Sequence, residues 1–213
     1  MAQPPGEAHL MMSRIVRTRS VSLLSLTLRM LAPWLAVGVF WLGFGDAWLA
    51  ILAYHAQILL WSLGRPLGLR RPMRDRITWL IALSALAGPA LWLLLPHITR
   101  TDLGGWLALH GLSGASLVVM IAYFGLVHPL LEQAHWTPLR EATPIAHVAF
   151  AGYHMLVLAS LLTPPWLVVC SVILTAASVV WQEMTRRTGS AWVAVASHMA
   201  ADAGIVLVAW LVR

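Results

Sequence analysis

Seven apolar runs, at about Leu23–Phe44, Trp48–Leu63, Ile77–Leu95, Trp106–Val127, Ile145–Leu162, Trp166–Val180 and Ala191–Val212, occupy most of this chain. Each approaches the roughly 20 residues that a helix needs to cross a bilayer, although the second and sixth are short. Inside hydrocarbon a spanning segment has to satisfy its own backbone N–H and C=O groups, and runs of this length do so as helices. The expected fold is therefore all-α: a polytopic membrane bundle of about seven transmembrane helices. Composition agrees, since 60% of the 213 residues are hydrophobic and 10% are charged. A soluble domain of this size has no interior large enough for so much apolar surface.

The charges give an orientation. The chain holds 14 Lys and Arg, every one of them arginine, against 8 Asp and Glu. Arg14, Arg17 and Arg19 precede the first run, and Arg65–Arg76 is an arginine-rich loop after the second. By the positive-inside rule both segments belong in the cytoplasm, which leaves Arg100 and Arg213 as the arginines on the far side. Residues 1–20 read as a cytoplasmic basic tail, 21–105 as N-terminal transmembrane helices, and 106–213 as the core that carries the candidate site. A cleaved signal peptide is not expected, because no small-residue cleavage site follows the first apolar stretch and Asp46 leads directly into another span. The net charge of +6 would suit nucleic acid, but arginines flanking apolar runs are explained by topology, so no nucleic-acid partner is expected. The expected partners are the lipid bilayer and a membrane-associated peptide or protein, and the expected location is the bacterial cytoplasmic membrane. Cys170 lies alone in an apolar run and reads as a core residue. Trp106, Trp136, Trp166, Trp181, Trp192 and Trp210 fall near expected span ends, as in an aromatic belt.

Two carboxylates do not map to tails, loops or span ends: Glu132, in His128-Pro-Leu-Leu-Glu-Gln-Ala-His-Trp136, and Asp202, in His198-Met-Ala-Ala-Asp202. At roughly 100° per residue, His198 and Asp202 share one helix face. His154 stands about 14 Å into the fifth run and His198 about 11 Å into the seventh, while Glu132 lies about 6–8 Å from the end of its helix if that end is Trp136 or Thr137. All three then share the cytoplasmic half of the bilayer. Burying Glu132, His154, His198 and Asp202 without mutual satisfaction would cost several kcal/mol, so these four are read as functional. His55 and His110 have no acidic or histidine companion at helical spacing, and each reads as a core imidazole donating to a neighbouring carbonyl. His128, His135 and His147 stay open between supporting the site and packing.

Phe150-x-x-x-His154, Thr188-Gly-Ser-x-Trp192 and His198-x-x-x-Asp202 together resemble the later motifs of the CPBP family, the CAAX proteases and bacteriocin-processing enzymes, over about residues 115–212. The resemblance implies a CPBP-like core and a glutamic-type intramembrane peptidase that needs no cofactor. In that family a Glu-Glu-x-x-x-Arg motif comes first; here the stretch is Glu132-Gln-Ala-His-Trp-Thr137, with Gln133 for the second glutamate and Thr137 for the arginine. Carried over, Glu132 is the base that activates water, His154 its partner, and His198 with Asp202 the oxyanion side. Gln133, His128, His135, Phe150, Gly189 and Trp192 take supporting places, with Gly189 giving a sharp entry to the last helix and Thr188 or Ser190 capping it. Arg140, one turn beyond Thr137, is the nearest replacement for the missing arginine. Two alternatives stand beside this reading. One is a catalytically silent relative serving as a membrane scaffold or immunity partner; the other is a metal-binding membrane protein with ligands among His128, Glu132, His135, His154 and His198.

Overall fold

A computed structural model of the chain describes residues 22–62 and 78–213. The basic tail and the whole of the arginine-rich loop Arg65–Arg76, on which the expected orientation rests, lie outside the described residues. Among the described residues every element is helical. Five helices are long and apolar enough to cross a membrane: α1 (Leu23–Gly43), α3 (Trp79–Ile98), α5 (Gly114–Ala142), α7 (Pro164–Thr188) and α8 (Trp192–Val212). Two apolar helices are shorter, α2 (Ala47–Ser62) and α6 (Ile145–Leu158), and α4 (Leu103–Leu109) is a brief connector. Outward-facing leucine, valine and isoleucine side chains such as Leu83, Leu93, Val172 and Ile173 are exposed along α3 and α7. Water would not tolerate so continuous an apolar exterior, and a lipid bilayer would. This is an integral membrane bundle.

Turns at one end of the bundle are joined by backbone hydrogen bonds. Ala47 N–H donates to His110 O at 3.0 Å, Arg100 N–H to Leu161 O at 2.9 Å and Thr163 N–H to Ile98 O at 2.9 Å. Asp102 caps α4 through Gly105 N–H at 2.6 Å. In the interior, α5 packs against α2, α6, α7 and α8, while α8 also packs along α3. The central position of α5 is what allows one of its side chains to meet groups from several helices.

Three element boundaries differ from expectation. The fourth run does not start a helix at Trp106, because Gly111 (φ 74°) and Gly114 (φ 49°) break the chain after α4 and α5 begins at Gly114. At its other end α5 runs past Pro138 to Ala142, with the proline accommodated inside the helix. Glu132 is therefore about 15 Å from that end rather than 6–8 Å, nearer to the depth of His154. The sixth run is not short: α7 spans 25 residues and closes at Gly189, whose φ of 64° makes it the left-handed C-cap. These extensions also move two tryptophans away from the expected belt. Trp136 and Trp181 are core residues at 0% and 5% exposure, as is Trp106, whereas Trp192 is exposed.

Candidate active site

Glu132 is completely buried, and its two oxygens have different surroundings. Oε1 accepts a hydrogen bond from Tyr54 Oη at 2.7 Å and another from the Tyr153 hydroxyl. Tyr54 is itself fixed by Trp136, whose Nε1–H donates to the phenol oxygen at 2.7 Å. Oε2 has no hydrogen-bond partner. It faces His128 Nε2 at 3.5 Å and His198 Nε2 at 3.6 Å. The same His198 Nε2 stands 3.3 Å from Asp202 Oδ2, an oxygen that, among the described residues, also has no hydrogen-bond partner. Two carboxylate oxygens and two imidazole nitrogens thus converge on one point between α5 and α8.

Local backbone geometry builds the far side of this cluster. Tyr123 and His128 would stand about 140° apart on a regular α-helix. The π-turn Tyr123–Val127, closed by His128 N–H donating to Tyr123 O, instead brings residues five apart onto one side. Both therefore reach the same residue on α2: Tyr123 Oη lies 2.6 Å from His55 Nδ1, and His55 Nε2 lies 3.0 Å from His128 Nδ1. The outcome is a continuous string, Tyr123–His55–His128–Glu132. His55 is not an isolated core imidazole, as helical spacing suggested; its companion His128 comes from another helix.

The other sequence-derived candidates sort clearly. His154 reaches Glu132 only through a neighbour, with Nε2 3.1 Å from Tyr153 Oη and Nδ1–H donating to Phe150 O at 2.8 Å. Phe150 is an aromatic hub, its ring centroid 4.9 Å from His154 and 6.4 Å from His198. Gln133 bridges two groups: Arg140 Nη1 donates to its Oε1 at 2.8 Å, and its Nε2 lies 3.2 Å from His198 Nδ1. Arg140 is held over the Phe150 ring at 4.9 Å and the Trp181 ring at 5.8 Å. Trp181 stacks on His198 at 4.4 Å. Arg140 thus occupies the neighbourhood of the missing motif arginine. His135 does not join the carboxylate, since its Nε2 bonds Arg29 O at 3.1 Å. His147 is satisfied on α7 by Ser178 and Gln182, both at 2.8 Å, and His110 donates to Trp106 O at 2.7 Å. Gly189 and Trp192 stand near the start of α8 rather than in the cluster; the N-cap there is Ala191, without the side-chain cap expected of Thr188 or Ser190, although Ser190 Oγ accepts from Trp192 N–H at 3.2 Å.

Sequence reasoning missed the tyrosines. The chain has three, and Tyr54, Tyr123 and Tyr153 all belong to this network. Scarcity was the available signal, because each sits inside an apolar run where its hydroxyl needs a partner. Tyr54 and His55 also show that the site extends beyond residues 106–213, drawing on a helix that sequence alone treated as generic.

For a metal ion, His128, His198 and Asp202 offer ligand atoms within 4.8 Å of one another. Within this group His198 Nε2 and Asp202 Oδ2 stand 3.3 Å apart, about the 3.3 Å that donors around a tetrahedral zinc would show, and Glu132 Oε2 lies 3.5 and 3.6 Å from the two imidazoles. His135 and His154 are committed to backbone carbonyls and fall outside such a set. No protein-family model, curated protein or solved structure matches the chain.

Proposed function

We propose that this protein is an intramembrane peptidase, CPBP-like in architecture, that cleaves a membrane-associated peptide with water activated by Glu132. In this reading the seven apolar helices all cross the bilayer, and the N-terminus is cytoplasmic. One observation carries it: a buried carboxylate is anchored through Oε1 by two tyrosine hydroxyls while Oε2 is left unpartnered between two imidazoles. A carboxylate needed only for packing would have both oxygens satisfied.

Glu132 Oε2 takes a proton from water as the water oxygen attacks the peptide carbonyl carbon. The carbonyl π electrons move onto oxygen, and the oxyanion accepts a hydrogen bond from a histidine N–H at the same centre. As the C–N bond breaks, Glu132 returns the proton to the departing amine, so the carboxylate is regenerated. In a pocket without bulk water such donors are worth far more than in solution. Asp202 steadies the His198 side, and Tyr153 with His154 orients Glu132. The site is closed to solvent, with Glu132 buried together with Tyr54, Trp136, Phe150 and Tyr153. Substrate entry therefore begins with helix displacement.

The test is turnover of a peptide tethered to proteoliposomes. Glu132→Gln keeps volume and the Oε1 contacts, and should reduce cleavage about 10²–10⁴-fold. Equal behaviour of wild type and variant, with the natural peptide present, would transfer the chain to the scaffold or immunity-partner reading. A metal-bound site is the second reading, favoured by the convergence of His128, His198 and Asp202 within 4.8 Å. It requires a lone pair on His198 Nε2, where the peptidase reading requires a proton, and metal analysis of the purified protein after chelation separates the two.

A further inference from the structure

We propose that Gln133, held by Arg140, selects the tautomer of His198, placing the ring proton on Nε2 so that this histidine is a donor at the reaction centre and not a metal ligand. The inference rests on the Glu132–His198 cluster being the reactive centre, and it decides which nitrogen of His198 can do what there.

The argument follows from what each group can offer. A guanidinium has donors only, so the atom of Gln133 that meets Arg140 Nη1 at 2.8 Å has to be the carbonyl oxygen. The amide is thereby oriented, and its NH2 end faces His198 Nδ1 at 3.2 Å. An NH2 group can only donate, so Nδ1 accepts, and the proton of the neutral ring sits on Nε2. That N–H stands on the side of the ring where Glu132 Oε2 lies 3.6 Å and Asp202 Oδ2 3.3 Å from Nε2, two acceptor oxygens that make no hydrogen bond among the described residues. Arg140 is not free to release the amide, because it is buried and its guanidinium lies over Phe150 and Trp181. Trp181 also fixes the plane of the His198 ring by stacking on it. Gln133 and Arg140 touch no reacting atom; both are positioning residues.

Glutamate at position 133 would act in the opposite sense. One carboxylate oxygen would accept from Arg140 and the other would face Nδ1, which would then have to donate. Nε2 would be left with a lone pair directed at the converging oxygens. His128 can present a lone pair as well, since His55 and Tyr123 beyond it accept or donate equally. Gln133→Glu should therefore create, from His128, His198 and Asp202, the zinc site that the wild-type tautomer denies.

The experiment uses the full chain in nanodiscs with 15N-labelled histidine, the His198 signals being assigned by their loss in His198→Gln. In wild type, Nε2 should be protonated and Nδ1 bare. In Gln133→Glu the proton should move to Nδ1, and Arg140→Met, which frees the amide, should let both tautomers appear. Zinc chloride, titrated as the probe, should bind Gln133→Glu about 10–100-fold more tightly than wild type, the range expected for a change in the group that orients a ligand. Protonated Nδ1 in wild type, or the same tautomer in wild type and Gln133→Glu, overturns the proposal. The wild-type measurement needs no variant to fold, and none of these signals depends on peptide turnover. An inert Glu132 would thus end the peptidase reading without deciding the tautomer.

Discussion

Two glycines, Gly88 on α3 and Gly204 on the site helix α8, meet backbone to backbone, and this contact supports a quantitative test. A Cβ added at Gly88 on α3 would stand 2.9 Å from Gly204 O and 3.0 Å from Gly204 C and Cα on α8. All three are backbone atoms, so no side chain can swing away and α8 itself has to move. Ordinary contact begins at 3.4 Å, which makes the displacement about 0.5 Å. Overpacking of this kind costs about 1–3 kcal/mol, and alanine returns up to about 1 kcal/mol through helix propensity. Gly88→Ala should therefore lose roughly 1–2 kcal/mol in detergent thermal unfolding. The displaced helix carries His198 and Asp202, and a shift of 1 Å in a reacting group can cost 10²-fold, so cleavage should fall by about tenfold. Gly38→Ala is the matched control, since nothing lies within 4 Å of its Cβ. If Gly88→Ala melts with Gly38→Ala and cleaves like wild type, the α3–α8 contact does not position the site.

Tyr153→Phe removes the hydroxyl that lies between Glu132 and His154, so its cleavage rate should fall as far as that of His154→Gln; a much milder loss would mean that His154 acts by another route. His55→Phe leaves His128 Nδ1 buried without its partner and should destabilise the protein by about 1–3 kcal/mol in chemical unfolding. Gly189 has φ 64° and open space around it, so Gly189→Val should cost about 1–2 kcal/mol in backbone strain alone, while Gly189→Asn should be close to neutral; equal melting of the two variants would remove the left-handed cap from the explanation of the α7–α8 turn.

What could be read from sequence was what repeats within one helix. Apolar runs gave the helices to within a few residues wherever glycine or polar turns bounded them, as for α1, α2 and α8. They failed at Pro138 and at Gln182–Thr188, where residues that usually end a span lie inside a helix packed on its neighbours. The His198–Asp202 and His128–Glu132 pairs were legible because four residues make nearly one turn. His55 was not, because its partners Tyr123 and His128 come from another helix and are aligned by a π-turn that no simple periodicity announces.

The altered first motif shows most clearly how sequence position and spatial position part company. Read by position, Thr137 stands where the motif that this stretch resembles has an arginine. In space Arg140 is about two helical turns beyond Gln133, which returns it to nearly the same face of α5, and it reaches back to the Gln133 carbonyl at 2.8 Å. Set beside the motif it resembles, the cation stands less than a turn further along the helix, and its partner is an amide in place of a carboxylate. The two residues depend on each other: Gln133 gives the buried guanidinium an acceptor, and a glutamine without the arginine would be free to turn either end toward His198. Together they orient the amide. On the proposed reading, the stretch that looks in sequence like a damaged motif is, in the folded chain, a glutamine and an arginine that together set the hydrogen-bonding sense of the histidine facing Glu132.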